Sequence, residues 1–69
     1  MFDKKRFKAQ VVLSGKTYQE IAKALEIDAS TLYRKINADG NFTRSEINAL
    51  IDFLGIENPQ EIFFTQELA

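Results

Sequence analysis

The cleanest rhythm of apolar and polar positions lies between Phe42 and Gly55. Ile47, Leu50, Ile51 and Leu54 fall there at i, i+3, i+4 and i+7, the spacing that gathers apolar side chains on one face of an α-helix. Thr43-x-x-Glu46 ahead of it is a capping box, Phe42 is placed to pack onto Ile47 as a hydrophobic staple, and Gly55 marks the stop. The same rhythm, more broken, runs through residues 17–37, TYQEIAKALEIDASTLYRKIN. Ile21, Ala22 and Leu25 form one stripe, Leu32 and Ile36 another, and Thr17-x-x-Glu20 is a second capping box. This predicts two short helices joined by a tight turn at about Glu26-Ile27, with Asp28 as N-cap of the second. Ala22 is the small residue needed where the two helices cross closely, and Ile27 plugs the angle between them.

The ends are less regular. Residues 1–14 predict a first helix with Phe7 and Val11 inward, but Phe2, Val12 and Leu13 lie off that stripe and leave its register open. Asn58-Pro59-Gln60-Glu61 reads as the start of a short fifth helix, with Asn as cap, Pro at the first helical position and Glu three residues after the cap. It carries Ile62, Phe63 and Phe64 in succession, more than one narrow face can bury, and Phe53 also lies off its stripe. Phe53, Phe63 and Phe64 therefore either line a contact with a second copy or wrap the core of a small domain. The expected fold is all-α, a compact bundle of five short helices forming one domain over residues 1–69.

Sixty-nine residues make a core of marginal size, which favours oligomerisation. The chain has no cysteine and no histidine, so disulfides, thiolate metal sites and the commonest general base are excluded. No cofactor or metal is expected, and an enzymatic reading loses most of its means. No apolar run approaches a membrane span of roughly 20 residues, and no signal-peptide pattern is present, so the expected location is cytoplasmic, with no membrane partner. The net charge of −1 conceals a division: residues 1–35 hold eight basic against four acidic residues, residues 36–69 one against six.

The helix after the tight turn carries the candidate chemistry. Leu32 and Ile36 define its buried side, which places Ser30, Arg34 and Asn37 opposite, flanked by Thr31, Tyr33 and Lys35. All six carry a hydrogen-bond donor. A helix roughly 10–12 Å across with such a face fits the DNA major groove, where Arg pairs with guanine and Asn with adenine; a solvated surface helix is the bland alternative. Gln19, in the first turn of the preceding helix, is placed to bind a phosphate. Lys4, Lys5, Arg6 and Lys8 form a basic run suited either to phosphates or to solvent.

Residues 17–37, together with the ending FTRSEINALIDFLGIENPQEIFF, resemble the small Cro-type and repressor-type helix-turn-helix regulators of bacteriophages. They are most like the short Cro-like proteins of phages of Gram-positive bacteria, in which a segment like STLYRKI precedes an F-T-x-x-E-I helix. The resemblance covers nearly the whole chain. It implies a lambda-repressor-like helix-turn-helix domain that binds a double-stranded DNA operator as a homodimer, with the third helix in the major groove, and controls lysogenic or lytic genes. By position, Ser30, Thr31, Tyr33, Arg34 and Asn37 match the groove-facing residues, Gln19 the phosphate-side residue, and Ala22, Ile27 and Leu32 the packing positions. The chain departs from the pattern at Glu26, where many members have glycine, at Lys16, usually apolar, and at Tyr18, where glutamine is frequent. A helical protein-interaction module or anti-repressor, working through the acidic, Phe-rich C-terminal half, is the alternative.

Overall fold

The computed structural model describes residues 2–64. These residues form five helices and no strand: α1 Lys4–Ser14, α2 Tyr18–Ala24, α3 Ala29–Asn37, α4 Arg44–Leu54 and α5 Pro59–Phe63. Both threonine capping boxes are in place. Thr17 Oγ1 accepts from the Glu20 N–H and Glu20 Oε1 from the Thr17 N–H at 3.1 and 2.9 Å, and Thr43 and Glu46 repeat the exchange at 3.2 and 2.8 Å. Asp28 occupies the N-cap of α3 and Asn58 that of α5, but neither side chain makes the capping hydrogen bond. The box expected at α5 gives way to a longer reach, with Glu61 Oε2 lying 3.3 Å from Arg6 Nη1 of α1.

The register of α1 follows from its true start. The helix begins at Lys4, not at residue 1, because Asp3 caps it by accepting from the Arg6 N–H at 3.0 Å. Phe2 therefore precedes the cap, and its ring packs 5.5 Å from that of Phe7 in the first turn, the arrangement of a hydrophobic staple. Val12 and Leu13 point outward, 79% and 80% exposed.

Phe7 of α1, Ile21 of α2, Leu32 of α3 and Leu50 of α4 are wholly buried, and Ile62 and Phe63 bring α5 into the same core. Each such side chain contributes about 1.5–3 kcal/mol by leaving water. A cluster of four phenylalanine rings closes one end. Phe2 lies 5.9 Å from both Phe42 and Phe63, and Phe7 lies 6.1 Å from Phe42. Phe42, predicted to staple α4, thus turns its ring into this cluster. Phe63, grouped by its sequence position with possible surface phenylalanines, is 7% exposed and belongs to the core.

Polar ties hold the ends of the helices. The Asp3 N–H donates to the Ile62 carbonyl at 2.6 Å, and Gln10 Nε2 donates to the Leu54 carbonyl at 2.9 Å, satisfying an acceptor left over at the end of α4. Beyond α3 the chain turns through Asp39 and Gly40, at φ +63° and +71°. Gly40 is required there twice over. Its backbone is left-handed, and a Cβ added to it would lie 2.6 Å from Phe2 Cβ, inside the packing of that side chain. None of the described helices is long and apolar enough to cross a membrane.

Candidate nucleic-acid interface

The turn from α2 to α3 is built by backbone hydrogen bonds. The Ile27 N–H donates to the Ala22 carbonyl at 3.0 Å and the Glu26 N–H to the Lys23 carbonyl at 3.1 Å, which is the Schellman closure of a helix. That closure needs a left-handed residue, and Glu26 supplies it at φ +59°. Here the chain accepts a conformation that glycine adopts without penalty. Ile27 and Leu25, half-buried, pack against the core beside the fully enclosed Ala22. The small side chain at position 22 thus stands where the sequence placed it, and the turn residue after α2 is the one expected.

Leu32 and Ile36 anchor α3 from below. Ser30, Arg34 and Asn37 are exposed on the opposite side, and their side chains hydrogen-bond to no described residue. Thr31 is half-buried on one flank, and Gln19 is exposed in the first turn of α2. Gln19, Lys23 and Thr31 border a shallow concavity that runs between α2 and the start of α3 and also includes Glu26, Asp28 and Ala29. Arg34 and Lys23 are exposed cations without an ion pair among the described residues.

Lys35 has a different position from its neighbours. Its Nζ lies 3.0 Å from Glu46 Oε1 and 3.4 Å from the Asn41 carbonyl, largely enclosed between the end of α3 and the start of α4. The lysine expected on the groove flank is therefore a tie that holds α3 against α4. Burial raises the Glu46 carboxyl, but the Thr43 N–H, the Lys35 ammonium and the Thr43 hydroxyl together outweigh it and hold the group below its ordinary value. The N-terminal basic run is likewise divided. Arg6 is engaged with Asp3 and Glu61, while Lys4, Lys5 and Lys8 are exposed.

Tyr33 is 49% exposed, and its ring leans on that of Tyr18 across the two helices, with centroids 5.1 Å apart and planes inclined at 41°. Burial, and secondarily Tyr33, raise the Tyr18 phenol above its ordinary value. The local sequence pattern by itself gives Tyr18 no function. The signal for it is an aromatic residue in the first turn, at i, i+3, i+4 and i+7 with Ile21, Ala22 and Leu25 and so at the partly exposed end of their stripe. The sequence marks Glu46 only as half of a capping box, since nothing local tells that Lys35 reaches it.

Among the three phenylalanines assigned to a contact between copies, Phe64 is exposed at 55% and Phe53 is half-buried. The Lys16 ammonium stands 5.0 Å from the centre of the Phe53 ring. Lys16 thus covers an aromatic face with its stem and charge, which accounts for a lysine where the resemblance leads one to expect an apolar residue. No protein-family model, curated protein or solved structure matches the chain.

Proposed function

We propose that this chain is a sequence-specific, double-stranded DNA-binding transcriptional regulator of the helix-turn-helix kind, a Cro-like repressor of phage type acting in the bacterial cytoplasm. It has no catalytic role. α3 lies in the major groove, Arg34 reads a guanine edge, Ser30 and Asn37 contact bases or phosphates, and Gln19, Thr31 and Tyr33 set the register against the groove walls. Two copies bind one operator, with Phe64 and the partly covered Phe53 at the contact between them.

The observation that carries this reading is the outer face of α3. Ser30, Arg34 and Asn37 present donors that no described residue uses, on a helix whose other side is wholly buried and whose end is tied by Lys35 to Glu46. A recognition element needs this combination of unsatisfied outward donors and a rigid seat. The division of charge supports the same reading, because a positive half turned towards phosphates and a negative half turned away orient the encounter.

The test is selection of bound duplexes from a random-sequence DNA pool at near-physiological salt, with the wild-type protein and Arg34→Ala in parallel. An inverted repeat with half-sites about one helical turn apart is expected, with Arg34→Ala losing preference at one position per half-site. Only salt-sensitive background binding, with no enriched sequence, would overturn the reading. It would direct attention to a protein partner for the acidic half and the exposed Phe64.

A further inference from the structure

We infer that Tyr18 and Tyr33 form one thymine-reading element, in which Tyr18 is a positioning residue that holds the Tyr33 ring against the 5-methyl group of a thymine in the major groove. The inference rests on the DNA-binding reading above and adds to it a base class and a residue on α2.

The geometry begins with what each ring touches. Tyr18, in the first turn of α2, is half-buried and packs against the core, so its ring has a fixed seat. Tyr33 rests on it with ring centres 5.1 Å apart, yet remains 49% exposed. One side of the Tyr33 ring is therefore supported and much of the remainder is open. Neither hydroxyl hydrogen-bonds to a described residue, so the support is ring against ring. An unsupported tyrosine on a helix surface would have to lose rotamer freedom on binding; this one has lost part of it already.

The direction of the ring follows from the helix. At about 100° per residue, Tyr33 stands about 60° around the axis from Ser30 and about 40° from Asn37. It flanks the outward face on the same side as these two polar residues, whereas Thr31 and Lys35 lie on the other flank. A flanking ring meets the edge of the groove before its floor.

Among the four bases, thymine alone presents an apolar group in the major groove, its 5-methyl. A supported aromatic carbon surface next to polar readers is the complement of that group. A tyrosine that used only its hydroxyl on a phosphate would carry no base preference.

The experiment takes the duplex enriched by the wild-type protein and replaces its thymines one at a time with deoxyuridine, which lacks only the methyl. Dissociation constants are measured at fixed salt for the wild type, Tyr18→Phe, Tyr18→Ala and Tyr33→Ala. Each comparison is a ratio of two duplexes on one variant, so any loss of folded protein cancels. One thymine per half-site should show a penalty of about fourfold in the wild type. Tyr18→Phe should keep that penalty, Tyr18→Ala should reduce it, and Tyr33→Ala should abolish it. A wild type indifferent to every replacement, or an undiminished penalty in Tyr33→Ala, overturns the thymine contact. An undiminished penalty in Tyr18→Ala overturns the positioning role. If no duplex is enriched at all, the DNA-binding reading falls and this inference falls with it; an enriched duplex read without regard to the methyl removes this inference alone.

Discussion

Replacing Gly40 by alanine perturbs two things at once, and the fold contains a control that separates them. The first is conformational. Gly40 has φ +71°, and a Cβ in left-handed backbone costs roughly 1–2 kcal/mol. The second is steric. The new methyl would fall within the Phe2 side chain, whose ring is itself held by Phe7, Phe42 and Phe63, and forcing atoms into such a cluster costs about 1–3 kcal/mol. The total of about 2–5 kcal/mol is a large share of the roughly 3–10 kcal/mol available to a chain of 69 residues. Gly55 is the control, with φ +64° and nothing within 4 Å of an added Cβ, so that Gly55→Ala suffers the conformational penalty alone. Urea unfolding followed by helical circular dichroism should place Gly40→Ala below Gly55→Ala by about 1–3 kcal/mol. Phe2→Ala, which removes Cγ and Cδ1, two of the three Phe2 atoms nearest the new methyl, should reduce the loss that Gly40→Ala causes. Equal losses at the two glycines would refute the reasoning, because the Phe2 contact would then contribute nothing.

Glu26→Gly relieves a left-handed residue worth roughly 1–2 kcal/mol, while the freer unfolded chain takes back about 0.4–1 kcal/mol. The urea midpoint should hold or rise, and a clear fall would mean that the Glu26 side chain stabilises the turn. Lys35→Met should lower stability by about 1–3 kcal/mol, because it leaves the largely enclosed Glu46 carboxylate without its charged partner, and should leave the slope of DNA affinity against salt unchanged; a slope reduced by about one would make Lys35 a phosphate contact after all. Because the Glu46 carboxyl is held below its ordinary value in the folded protein, its contribution is complete above the ordinary carboxylate range and is lost as pH falls through the lowered value. In Lys35→Met that acid loss should set in at higher pH, as followed by unfolding between neutral and acid pH. Phe63→Ala should cost about 3–5 kcal/mol as a core deletion, whereas Phe64→Ser should leave the melting temperature nearly unchanged and weaken self-association in sedimentation. An oligomeric state indifferent to Phe64→Ser would remove the tail from the contact between copies.

Local pattern was sufficient for the five helices, for both threonine capping boxes, for the turn at Glu26 and for the small residue at 22. In each case the cause lies within a few residues of its effect: a hydroxyl three positions before a carboxylate, or apolar side chains three and four apart. The outward position of Ser30, Arg34 and Asn37 was legible for the same reason, since Leu32 and Ile36 set the angle of their own helix. What covers a side chain once it points in a given direction is a different matter. Periodicity places a residue around an axis but says nothing of the element that meets it there. Phe63 and Phe64 are neighbours in sequence, and only α1 and the loop before α4, bringing Phe2, Phe7 and Phe42 together, make one of them core and leave the other in solvent. Lys35 sits on the flank of α3 as predicted, but Glu46 on another helix converts it from a free cation into a tie. Tyr18 becomes the support of Tyr33 only when α2 crosses α3. These roles belong to the tertiary structure because they arise between helices, where the partner of each side chain is selected by the packing of the whole chain.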